Sequence, residues 1–155
     1  MSDLFSVSNI DLASLPEDKV PHASEAGIGY AYAGGVSEAV SRMVGQLNPH
    51  RSVTIQTRRA DGVPECKAII NDILAGNHGG NFFEGMGCKG GCVGGPRAII
   101  SKEEGKKQVQ AYGKEALYKT PAENPYVIEL LKELGFSTVE EFLENSRLYD
   151  RDMDT

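Results

Sequence analysis

The chain reads as an α/β domain: a parallel sheet threaded β-α-β-α-β, flanked by helices and followed by further helices toward the C-terminus. Three observations predict this. Short apolar runs alternate with longer segments whose apolar residues recur every three or four positions, the order that gives right-handed crossovers between parallel strands. Glycine pairs and proline dipeptides punctuate those segments at their ends. The 155 residues, 40% hydrophobic and 25% charged, suit one globular domain with a core of its own.

Residues 1–26 are polar and acidic, carry Pro16 and Pro21, and read as an irregular lead-in. Gly27 to Ala33 (GIGYAYA) is predicted as a short buried strand closed by Gly34-Gly35. Val36, Val40, Met43, Val44 and Leu47 then share one helical face, and Asn48-Pro49 stops that helix. Ser52 to Thr57 alternates apolar and polar residues and reads as the second strand. After the Asp61-Gly62 turn, Pro64 suits a first helical turn. Cys66, Ile70, Ile73 and Leu74 form its apolar face, and Gly76 ends it. Asn81 to Met86 is the third strand.

Beyond a Gly/Cys loop, Ser101 with Glu104 makes a capping box for a helix with Val109, Tyr112 and Ala116 inside. Asn124-Pro125 opens the next, with Val127, Leu130, Leu131 and Leu134 inside and Gly135 at its end. Ser137 with Glu140 caps a last helix carrying Val139, Phe142 and Leu143. The Rossmann-like lobe thus spans residues 27–147, and residues 148–155 form a tail expected to fray. In such sheets ligands sit beyond the carboxyl ends of the strands. The Gly34-Gly35 turn and the Gly/Cys loop should therefore open on one edge.

Charge narrows the partners. Sixteen basic against 22 acidic side chains give a net charge of −6, which argues against nucleic acid and against a polybasic membrane surface. No run approaches the ~18 apolar residues of a membrane span, and the acidic N-terminus lacks the pattern of a signal peptide. Three cysteines make no disulfide framework, so a reducing, cytoplasmic setting is the expectation.

Of the 18 glycines, nine fall between Gly76 and Gly95, together with Cys88 and Cys92. Thiolates bind iron and other soft metals. Placed four apart on a helical turn, the two cysteines would present their Cβ atoms ~5–6 Å apart on one face. Glycines let backbone amides approach sulfur, and Lys89 would favour thiolate. Incidental loop thiols or a disulfide remain alternatives for this pair. Cys66 reads instead as a small buried hydrophobe. His22, His50 and His78 read as solvated surface residues and the Arg58-Arg59 pair as a solvated strand end rather than an anion site, and Gly34-Gly35 lacks the remaining glycines of a dinucleotide loop.

These segments resemble the catalytic domain of iron-only hydrogenases. Glu84-x-Met86-x-Cys88-x-x-Gly91-Cys92, followed by Gly94-Gly95 and Pro96, is similar to that family's last cysteine signature. GIGYAYAGGVSEAVSR, from Gly27 to Arg42, resembles its strand-loop-helix, and ALYKTPAENPYVIELL resembles its Leu-Tyr and Asn-Pro segment. The resemblance implies an H-cluster, a [4Fe–4S] cubane joined to a diiron unit with carbonyl and cyanide ligands. It implies that Cys88 ligates the cubane, that Cys92 ligates it and bridges to the diiron unit, and that Met86 packs beside that unit. Gly34 and Gly35 match the turn that approaches the cluster, and Gly91 the glycine within the signature. The implied reaction is reversible interconversion of dihydrogen with protons and electrons, in an anaerobic setting, with ferredoxin as electron partner.

The chain departs from the family pattern in lacking the two earlier cysteine signatures and the N-terminal clusters. Ala33 stands where the family often has Thr or Ser, and the loop ending is shortened to Gly-Gly-Pro. The expectation is therefore the C-terminal lobe of a two-lobed oxidoreductase. As an isolated chain it should be inactive, with its cluster site empty until a missing N-terminal lobe brings the other ligands. The alternatives are an iron–sulfur or zinc-binding scaffold or sensory module, and a nucleotide-binding α/β domain.

Overall fold

The computed structural model describes residues 2–16, 22–47, 50 and 54–145. In chain order the elements are α1 Ser2–Val7, α2 Glu25–Ile28, α3 Gly35–Leu47, β1 Thr57–Asp61, α4 Val63–Leu74, β2 Phe82–Met86, α5 Lys102–Lys114, α6 Pro125–Glu133 and α7 Val139–Glu144. Single 3-10 turns lie at Leu12–Ser14, Gly29–Ala31, Cys92–Gly94 and Pro121–Glu123. Among the described residues no helix is long and apolar enough to cross a membrane.

The architecture is mixed α/β, with two strands among the described residues in place of the three expected. β1 and β2 pair in parallel from Thr57↔Phe82 to Asp61↔Met86, and α4 is the crossover between them. The predicted strand over Gly27–Ala33 is not formed. Ser24 caps a short helix there, its hydroxyl accepting from the Gly27 amide at 3.1 Å, and the chain continues into the Gly29–Ala31 turn. A short apolar run does not reveal its period, and the Ser24 cap decides it.

The second predicted strand shifts toward the C-terminus: β1 begins at Thr57, where the expected strand ended. Residues 51–53 of that expectation lie outside the described residues. Asn81 marks the entry to the ladder, donating to Thr54 O at 2.9 Å and accepting from the Gln56 amide at 2.7 Å. The ladder then runs through Arg58 and Arg59, which were expected as a solvated strand end and instead lie inside β1. Arg58 is accommodated in the strand because its guanidinium finds partners on the α4 side of the sheet. It pairs with Asp72 at 2.6 Å and donates to the carbonyls of Asn77 and His78 at the end of the crossover.

Side chains alternate across the ladder. Arg58, Ala60, Phe83 and Gly85 share the face toward α4, where Arg58 meets Asp72 and Cys66 lies against Gly85. Arg59 and Glu84 share the face toward α3, where both reach Ser37. The expected α3, α4, α5 and α6 all form, but not all bury the predicted faces. Ile70 and Leu74 of α4 are exposed, Leu74 at 80%, while Cys66, Ile69 and Ile73 are half-buried. In α5 the packed residues are Gly105 and Gly113 rather than Tyr112, because the missing side chains let Val93 and Ile28 approach the helix. In α6 Leu131 is buried, whereas Leu130 and Leu134 are exposed. The α7 cap falls one residue later than expected, at Thr138, whose hydroxyl accepts from the Glu141 amide. The predicted frayed tail lies outside the described residues.

Asn124, 2% exposed, holds the two ends of the fold together. Its carbonyl accepts from the Tyr126 amide to cap α6, and its amide donates to His22 O at 2.8 Å. His22 in turn stacks on Tyr126 with ring centroids 3.9 Å apart.

Candidate functional site

The first wall of the site is the turn before α3. Gly34 has φ +95°, a conformation that L side chains rarely adopt. At Gly35 a Cβ would stand 1.7 Å from the Gly29 carbonyl oxygen, so only glycine lets the Gly29–Ala31 turn lie on the first turn of α3. The opening amides of a helix lack intrahelical partners. Here Glu84, reaching across from β2, accepts from Gly34 N at 2.8 Å and from Ser37 N at 2.9 Å. The Ser37 hydroxyl donates to Gly34 O at 3.0 Å and accepts from Arg59 Nε at 2.7 Å.

Glu84 is 6% exposed. Burial by itself raises its pKa, but hydrogen bonding from Ser37 and Gly34 and the nearby Arg59 charge outweigh it. The group is held below the ordinary carboxylate range. A carboxylate at a helix N-terminus also meets the positive end of the helix dipole.

The second wall is the Gly/Cys loop that leaves β2, and it is fastened to the first. Ala33 N donates to Gly90 O at 3.1 Å, and Gly90 N donates to the Asp61 carboxylate at the end of β1. Gly91 is buried with φ +81°, and a Cβ there would stand 2.7 Å from Ala33 N and 2.8 Å from Tyr32 C. The Gly/Cys loop leaves the carboxyl end of β2, and the residues just before the Gly34-Gly35 turn meet it through the Ala33–Gly90 bond. The Gly34-Gly35 turn is brought there by a helical segment rather than by a first strand.

The cysteine pair does not lie on a helical turn. Gly90 and Gly91 both have positive φ, and the chain turns there with Gly91 N bonded to Cys88 O at 2.9 Å. It then enters the Cys92–Gly94 3-10 turn. Consecutive left-handed glycines interrupt the helical path that the spacing assumed. Cys88 and Cys92 are both exposed free thiols. Cys66 is half-buried on α4, its thiol 3.6 Å from Met86 O, so it is a partnered thiol rather than a fully buried hydrophobe. The Met86 carbonyl also accepts from Gly62 N at 2.8 Å, which fixes the end of β2 where the loop departs.

An open depression of about 200 Å³ adjoins the joined loops, lined by Ala33, Asp61, Gly90, Lys102, Glu103 and Lys106. The Lys102 stem packs over the loop, since Cβ atoms at Gly90 and Gly94 would meet it at 2.9 Å and 3.2 Å. Lys106 places its ammonium 4.9 Å above the Tyr32 ring.

Ser37 and Lys102 were not singled out by sequence reasoning, and Glu84, Arg59 and Asp61 appeared there only as a signature residue, half of a solvated pair and part of a turn. One signal was present for Glu84: a lone acidic residue in an otherwise apolar strand has to find donors.

Two exposed thiols set the limit on a metal. A cubane wants four thiolates. Among the described residues no group of three or more His, Cys, Asp and Glu is placed to hold an ion. The donor set therefore fits part of a cluster's ligand shell and not the whole.

Compared with known proteins, residues 1–96 match the family model described as iron only hydrogenase large subunit, C-terminal domain. The match includes the Gly34-Gly35 turn and the whole Cys88–Pro96 loop, and stops short of the ALYKTPAENPYVIELL segment. No curated protein matches the chain.

Proposed function

Since the chain belongs to the family formed by the C-terminal domain of the iron-only hydrogenase large subunit, we propose that it acts as one lobe of a hydrogenase-like oxidoreductase. In this reading Cys88 and Cys92 are two of the thiolates that hold an iron–sulfur cluster joined to a diiron unit. A separate N-terminal lobe supplies the remaining ligands, and a ferredoxin-type carrier exchanges electrons. The cluster, when bound, supplies the redox chemistry that interconverts dihydrogen with protons and electrons.

One observation carries the reading: the bond from Ala33 N to Gly90 O, with Gly91 packed on the Tyr32-Ala33 backbone. It joins the two glycine turns that the resemblance assigns to the cluster. The chain's own residues then have definable tasks. Glu84 pins the Gly34 turn, Asp61 pins the Gly90 amide, and Gly91 makes room for the Tyr32-Ala33 backbone. Met86, at the end of β2, is assigned the packing role beside the diiron unit.

The test is anaerobic reconstitution with iron and sulfide, with and without an added N-terminal lobe from a family member. Iron should be retained only with that lobe, and Cys88→Ala with Cys92→Ala should abolish it. Unchanged iron content in the double variant refutes the ligand assignment. Iron retention without hydrogen turnover points to a sensory or scaffold role for the same site.

A further inference from the structure

A cavity of about 250 Å³ lies where α2, α3 and the Gly29–Ala31 turn pack on α5, and none of the three cysteines lines it. Gly29 and Gly113 give it bare walls and Val109 an apolar one. Tyr32 brings a polar group to it. A Cβ at Gly29 would stand 3.2 Å from Tyr32 Oη, so the phenol oxygen lies over that bare wall. Tyr32 is only 9% exposed, yet its hydroxyl has no hydrogen-bond partner among the described residues. Every wholly enclosed side-chain oxygen and nitrogen among those residues has one. A buried tyrosine hydroxyl ordinarily finds a partner, and here the partner has to enter through the cavity.

The charges select what enters. Glu25 and Glu38 line the cavity, but both are neutralised. Arg42 pairs with Glu38 at 2.7 Å and with Glu25 at 3.6 Å, and Lys119 pairs with Glu25 at 2.9 Å. Lys114 lines the cavity without an ion pair among the described residues, and Gln110 adds an amide that is likewise uncommitted. One positive charge is thus left over. The Lys106 ammonium, 4.9 Å above the Tyr32 ring, has the same sign. A cation would have to displace Arg42 or Lys119 from its carboxylate. A dianion would bring a second negative charge beside Glu25 and Glu38. A monoanion with accepting oxygens matches both the surplus charge and the free donors. The volume lies below the roughly 300–1,000 Å³ of pockets for drug-sized ligands, so the ligand is small.

We propose that this cavity binds a small organic monocarboxylate. Its oxygens accept from the Tyr32 hydroxyl and the Lys114 ammonium, and its carbon end rests against Val109 and the two glycines. The site contains no thiol and needs neither iron nor another lobe, so it stands or falls apart from the hydrogenase reading.

The test is an NMR titration of the full chain with acetate at constant ionic strength, read at the backbone amides. The Gly29 and Gly113 signals should shift and saturate at one acetate per chain. Inorganic phosphate and methylammonium should leave them in place. Tyr32→Phe and Lys114→Gln should each weaken acetate about tenfold, as expected for a lost bond to a charged group, and Lys132→Gln on α6 should match wild type. The thermal midpoint of Tyr32→Phe should hold or rise, because the lost hydroxyl bonded to nothing in the chain. Absence of saturable shifts at Gly29 and Gly113, equal saturation by phosphate or methylammonium, or wild-type acetate affinity in both site variants overturns the proposal. A Tyr32→Phe chain that melts earlier yet binds acetate as wild type does gives the hydroxyl a structural role and overturns it too.

Discussion

Glu84 commits both oxygens to backbone amides that no helix can satisfy internally, and those amides belong to the turn that builds the site. Removing the side chain strands two buried donors. Glu84→Ala should destabilise the fold by about 3 kcal/mol, the range for lost bonds to a charged group plus unsatisfied partners. Glu84→Gln should cost less, because one carbonyl still accepts while the amide end faces a second donor.

The sign of the pH effect follows from the lowered pKa. The carboxylate's contribution is complete above the ordinary glutamate value and is lost as pH falls through the lower folded value. Urea unfolding across the acid range should show wild type losing stability there, and Glu84→Gln should flatten that slope. Glycine spacing gives a second residue-level contrast. Gly35→Ala must push a methyl into the Gly29 carbonyl, whereas a Cβ at Gly87 meets nothing. Thermal unfolding should show Gly35→Ala cut by several kcal/mol or unfolded, and Gly87→Ala within about 0.5 kcal/mol of wild type.

At the scale of elements, α4 crosses between two parallel strands and leaves Ile70 and Leu74 in solvent. Parallel strands are ordinarily covered on both faces, and here α3 covers one face mostly through polar contacts. In urea unfolding, Leu74→Lys should leave the unfolding free energy within about 0.5 kcal/mol of wild type. If Leu74 were core, the loss would be several times larger.

The same helix shows how far local patterning carries. Caps and stops were legible: Ser101, Asn124, Gly76 and Gly135 all sit at or beside helix ends. These signals act within a few residues of the terminus they mark. The buried faces of α4 and α6 were not legible, because which side of an apolar helix is covered depends on neighbours distant in sequence. β1 was displaced for a related reason. Its Arg58 and Arg59 are tolerated only because Asp72 and Ser37 arrive from other elements. The α5 glycines, read as weakening the helix, are its packed surface.

Across the whole molecule, Glu25 links regions that the sheet does not reach. It pairs with Lys119 at 2.9 Å and with Arg42 at 3.6 Å, tying α2 to α3 and to the segment before α6. The hydrogen bond from Lys119 lowers its pKa most, and burial opposes. Backbone bonds from Glu25 N to Tyr118 O and from Ala26 N to Lys119 O run alongside.

Of the site, glycine excess marked the two loops where backbones pack closely, but the reading set an object between them, whereas the chain joins them directly through Ala33 with Gly90 and Tyr32-Ala33 with Gly91. The ties that hold the loops there were not legible. Glu84 and Asp61 act across 50 and 29 residues, and single carboxylates carry no periodic signature.

Those separations also set a timetable. The β1–α4–β2 unit pairs residues only 25 apart, Thr57 with Phe82, so its closure costs the chain less entropy than joining Glu84 to Gly34. Folding kinetics should therefore give a high φ-value for Ala60→Gly and a low one for Ser37→Ala. On that order, the depression between Ala33, Gly90 and Lys102 is the last feature to take shape. Its assembly can be slowed by weakening the early sheet, or left incomplete by a change at Glu84 that scarcely alters the folding rate.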